Sequence, residues 1–126
     1  MGQNSGPGYA KHPDHRVAVS PHRGRVIVEV GGEVIGDSHE ALELHESDYP
    51  PVYYLPRSDV RMDRLVRTDH RSHCPFKGDA SYFGIVGGAD NAVWSYEQPY
   101  DEVSTIRDRV AFYPNKVDAI RVERDA

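Results

Sequence analysis

The chain predicts an all-β domain of antiparallel sheets with at most short helical turns. Three observations carry that prediction. Short runs of Val, Ile, Leu and aromatic residues recur at close spacing. Gly, Pro, Asn and Asp punctuate the gaps between them. No stretch has the apolar spacing of a long amphipathic helix.

Residues 1–14 hold Gly, Pro, Asn, Ser and His without an apolar pattern and read as a flexible N-terminal arm; residues 15–126 form one domain. Residues 16–20 predict a short strand, and Pro21-His22-Arg23-Gly24 a turn. Residues 25–30 are the clearest strand, because Val26, Val28 and Val30 share a face and β-branched residues suit a pleated surface. Gly31-Gly32 predicts a tight hairpin, since both glycines accept positive φ, and residues 33–36 return. Residues 42–46 alternate Leu42 and Leu44 with Glu43 and His45, which favours an extended segment. Pro50-Pro51 enforces extended backbone before the strand at 52–55.

Residues 59–66 are ambiguous, and a short helical turn fits them. His73-Cys74-Pro75-Phe76-Lys77-Gly78 reads as a fixed turn that holds polar groups in place. Strands follow at 81–86 and at 91–96, the latter bearing Trp94. A loose segment then leads to 109–113, Pro114-Asn115-Lys116 turns, and 117–122 closes the set. About nine strands result.

With 126 residues, one domain is expected. A net charge of −5 with no visible basic face argues against nucleic-acid binding. The single cysteine leaves no internal disulfide and no zinc site that needs two cysteines from one chain. A lone thiol suits a reducing compartment. No apolar N-terminal stretch reads as a signal peptide, and no run is long enough to span a membrane. A cytoplasmic protein, monomer or homodimer, is expected.

Glu46 extends the apolar face of Leu42 and Leu44. Desolvation there would raise its pKa and suit a general acid or base; a carboxylate at a strand end, facing water or paired with an arginine, fits equally. Cys74, beside His73 and Lys77, is a thiol that a neighbouring cation could activate, or a small buried hydrophobe. Lys77-Gly78 presents an ammonium to a ligand anion, or to Asp79. His70, His73, Cys74 and Glu46 include metal-ligating types, but H-x-x-H-C without a helix is a weak signal, and neither a metal nor a cofactor is expected. Trp94 and Tyr96 share a strand face, and Tyr54 and Tyr82 come from two further strands. Together they would form a ligand wall or the core between two sheets.

The order of several uncommon runs resembles the family called domain of unknown function 427. These runs are Gly31-Gly32, His45-Glu46, residues 49–56, Asp59-Val60, residues 73–82, residues 94–99 and residues 111–113. The resemblance covers about residues 12–122, with Ser72 where threonine is frequent and Phe76 where tyrosine is frequent. It implies a β-tent fold, two antiparallel sheets leaning together as in methionine-sulfoxide-reductase-like domains. Many β-tent relatives hold zinc through two Cys-x-x-Cys pairs, which one cysteine cannot supply. The family sometimes carries a nucleotidyltransferase label. No Gly-rich phosphate loop or paired Asp-x-Asp site supports it here, and kinship of fold does not transfer chemistry.

The expectation is therefore a small-molecule-binding β-domain with enzymatic activity, its pocket between the sheets or at their open end. Glu46 would be the acid/base, Lys77 the anion contact and His73 a polar helper, with Cys74 as a further candidate. Tyr54, Tyr82, Trp94 and Tyr96 would be the wall. The alternatives are a non-catalytic protein or peptide interaction module and the nucleotidyltransferase of the family label.

Overall fold

Alternation of apolar and polar residues sets the strands of the computed structural model, which describes residues 4–125. In chain order they are β1 (Val17–Pro21), β2 (Gly24–Val30), β3 (Glu33–Ser38), β4 (Leu42–Glu46), β5 (Val52–Tyr54), β6 (Leu65–Cys74), β7 (Gly78–Ile85), β8 (Val93–Tyr96), β9 (Val110–Phe112) and β10 (Ala119–Arg124). The protein is all-β, and every strand pairing is antiparallel. The β2–β3 hairpin turns on Gly31 and Gly32, whose φ values are 59° and 80°. Both lie in the region glycine enters without a Cβ penalty.

The strands form three ladders rather than two: β1-β4-β5, β10-β2-β3 and β6-β7-β8-β9. The extra division arises at the end of β5. There Leu55 and Val110 exchange two backbone hydrogen bonds of 2.9 Å, so a single bridge joins the first ladder to β9. The β10-β2-β3 ladder stands apart from that joined surface, and the wedge between them is the feature that matters for function.

Strand β6 is the element that pattern reading missed. Its sequence, LVRTDHRSHC, carries polar or charged residues on both faces, and most of them are exposed. It is an edge strand, paired only with β7 and irregular between Arg67 and Arg71. The ladder holds it extended without a buried face, and charge on an edge also blocks pairing with other chains. His73 and Cys74 end this strand, so the turn proper is only Pro75-Phe76-Lys77. In the ambiguous stretch, 59–66, Asp59 ends one 3-10 turn (Arg57–Asp59), Met62–Arg64 forms a second, and Leu65 and Val66 already belong to β6. The segment read as loose, Asp101–Ile106, is 3-10 structure that buries Val103 and Ile106.

Two apolar clusters fill the interior. One contains Val26, Val28, Ile35, Leu55, Phe83 and Phe112. The other contains Leu44, Tyr54, Tyr82, Tyr96, Val103 and Ile106. Each fully buried aliphatic or aromatic side chain contributes about 1.5–3 kcal/mol relative to exposure. Of the stretch read as an N-terminal arm, residues 1–3 lie outside the described residues. Residues 4–14 lie along the body, with one helical turn at Gly8–Lys11. Gly8 N–H donates to the Pro75 carbonyl at 2.9 Å, and Gly6 N–H to Glu102 Oε1 at 3.0 Å.

Candidate functional site

Glu46 ends β4, and its side chain is 17% exposed. Lys77 Nζ donates to its Oε1, and His15 Nε2 lies 2.8 Å from its Oε2. Phe76 stacks on the His15 ring at 3.9 Å between centroids, and Tyr9 meets Phe76 edge-on at 5.0 Å. The N-terminal segment and the β6–β7 turn thus cover the carboxylate together. Burial pushes the Glu46 pKa up, but Lys77 and His15 more than offset it and hold the group below its ordinary range. That corrects the expectation of a raised pKa: burial is present, and the ion pair outweighs it. Lys77 pairs with Glu46 rather than with Asp79.

His73 is not part of this cluster. Adjacent strand residues face opposite ways, so Cys74 packs against the Tyr54–Tyr82–Tyr96 cluster while His73 points out and lies 2.6 Å from Asp79. Tyr9, above the cluster, has its phenol pushed up to about 12 by burial and by Glu102, Cys74 and Glu46 nearby. Among the described residues, no group of three or more His, Cys, Asp or Glu is arranged to hold a metal ion.

The four aromatics divide. Tyr54, Tyr82 and Tyr96 are buried in the second cluster, at 1%, 7% and 6% exposure. Burial drives the Tyr54 and Tyr96 pKa values upward and keeps both phenols neutral. They are core, because three strands converge their inward faces there. Trp94 differs. Its Nε1 donates to Tyr54 Oη at 3.2 Å, and its ring borders a cavity of about 250 Å³.

That cavity occupies the wedge between ladders. Val26 and Val28 of β2 with Ile120 and Val122 of β10 form one wall. Val52, Tyr53, Leu55, Trp94 and Phe112 form the other, and Pro51 and Pro114 lie at its margin. Sequence reading placed a pocket between sheets and named Trp94 for its wall, but missed the other lining residues. The alternation in β2 and the β-branched residues of β10 marked two apolar faces, and nothing local marks a face that stays unfilled.

A second polar cluster was missed outright. Glu43, on the opposite face of β4 from Leu44, is 6% exposed. Its carboxylate accepts from Arg124 Nη1 at 2.8 Å, and lies 2.7 Å from His22 Nδ1 and 2.6 Å from His45 Nε2. Burial works against ionisation, and Arg124, His22 and His45 reverse it, holding the Glu43 pKa at about 2. Arg124 Nη2 also lies 3.4 Å from Tyr53 Oη. A third cluster sets Glu97 between Arg67 and Arg57 beside Phe83, with the Glu97 pKa also at about 2, chiefly through Arg67.

Comparison with known proteins bears on this architecture. No curated protein matches the chain. Residues 18–123 match the sequence profile of a domain of unknown function, DUF427. The matched stretch includes all ladder-forming strands except the first residue of β1 and the last of β10, and it excludes the covering segment that carries Tyr9 and His15. On that span, the chain belongs to the domain of unknown function 427 family.

Proposed function

We propose that this protein is a small-molecule-binding β-domain whose ligand sits in the wedge between the β10-β2-β3 ladder and strands β5, β8 and β9. The observation that carries this reading is the cavity of about 250 Å³ with predominantly apolar walls. Apolar hollows of about 150 Å³ already accept a benzene-sized guest and hold water poorly, for want of polar partners. A guest larger than one ring fits here. What favours binding over acid–base catalysis is that neither Glu46 nor Lys77 lines the cavity, and each neutralises the other. What disfavours a flat aromatic interaction surface is that, among the described residues, Tyr49 is the one aromatic of the exposed large apolar side chains, the others being Val34, Val66, Val86 and Val122.

Trp94 supplies the test, because it is the chain's only tryptophan and borders the cavity. Titration with octan-1-ol should give a saturable change in tryptophan emission, matched by heat in calorimetry. Val122→Phe, at a wall position that is 37% exposed, should fill the hollow and abolish the response while the circular-dichroism spectrum stays unchanged. No saturable binding in the wild type, or binding that survives Val122→Phe, would overturn the proposal.

A further inference from the structure

The polarity of the cavity's ligand follows from the end of β10. Alternate residues of a strand share a face, so Ile120, Val122 and Arg124 point the same way. The first two line the cavity. The third sets a guanidinium beyond the apolar stripe, with its side chain 57% exposed. Tyr53, on the facing wall, brings its hydroxyl to within 3.4 Å of Arg124 Nη2.

Arg124, His22 and His45 all meet the single carboxylate of Glu43, so that anion is divided among three nitrogen partners rather than committed to Arg124 alone. The exposed side of the guanidinium is left to face the mouth of the cavity. Glu123 alternates with Arg124 within β10 and belongs to the other face.

We propose that the ligand is a small amphipathic carboxylate. Its apolar body would lie against Val122, Ile120 and Trp94, and its carboxylate would meet Arg124 and the Tyr53 hydroxyl. This rests on the cavity being a ligand site, and it adds the charge and the direction of the guest.

The test compares octanoate, octan-1-ol and octylammonium at pH 7 by calorimetry and Trp94 emission. Octanoate should bind at least about ten-fold more tightly than octan-1-ol, the worth of one charge-assisted hydrogen bond, and octylammonium most weakly. Arg124→Gln should erase the preference for octanoate and leave octan-1-ol affinity unchanged. Should that variant loosen the Glu43 cluster, Tyr53→Phe keeps all three partners of Glu43 and should still weaken octanoate alone by a few-fold. Equal affinity for octanoate and octan-1-ol in the wild type would overturn the carboxylate assignment and leave the cavity reading standing. A preference for octanoate that persists in both variants would also overturn it. Failure of all three probes to bind would overturn both.

Discussion

Lys77 reaches from the turn after β6 to Glu46 at the end of β4 and donates to Oε1, joining positions 31 apart in the chain. Both side chains are largely covered, at 14% and 17% exposure. Breaking such a pair from one side leaves a buried charge short of its partner. Lys77→Met should therefore cost about 2 kcal/mol in urea denaturation, below the fully buried figure because some water still reaches the carboxylate. Glu46→Gln in the same background should recover part of that loss. A Lys77→Met protein as stable as the wild type would show that the pair contributes nothing.

Glu43 gives the acid limb of stability. Its folded pKa of about 2 lies below its ordinary 4.5. The unfolded chain therefore binds the proton first as pH falls. The contribution is complete above about pH 4.5 and is lost as pH drops toward 2. Glu97, more exposed and also held at about 2, adds a smaller loss in the same window. Denaturation midpoints should fall between pH 5 and pH 2, and Glu43→Gln should flatten that fall by an amount on the order of 2 kcal/mol. A Glu43→Gln protein with the same pH dependence as the wild type would contradict the cluster.

Gly24 opens β2 with a φ of 143°, opposite Arg124 of β10. A Cβ there would overlap the backbone carbonyl of Glu123, which cannot rotate away. Gly24→Ala should lose about 3 kcal/mol or more and raise amide exchange along residues 120–124, because the cavity wall separates from β2. Unchanged exchange in β10 would show the strand to be held independently of Gly24.

The covering segment should protect the thiol. Gly6, Gly8 and Tyr9 tie it to Glu102, Pro75 and Phe76, the last two following Cys74 in the chain. Deleting residues 1–14 should speed labelling of Cys74 by an aromatic disulfide reagent roughly ten-fold, as local opening is no longer required. A labelling rate equal to that of the full chain would place the protection elsewhere.

Much of this protein was legible in particular residues. Val26, Val28 and Val30 announced β2, Gly31-Gly32 its hairpin, and Pro50-Pro51 the entry to β5, because each acts through local backbone preference or period-two alternation. The motif residues also marked Glu46 and Lys77 as belonging to one place. Strand β6 escaped because an edge strand needs no apolar face, only a neighbour to pair with.

The chain's own alphabet determined the all-β class and the family, since alternation, turn residues and rare runs are written in consecutive positions. Tertiary structure alone decided which acid meets which cation. Glu43 and Glu46 look alike in sequence, yet one faces His22 and Arg124 and the other Lys77 and His15. It also decided where the hollow lies. A cavity is space that two distant walls fail to fill, and volume between non-adjacent strands leaves no mark on either one.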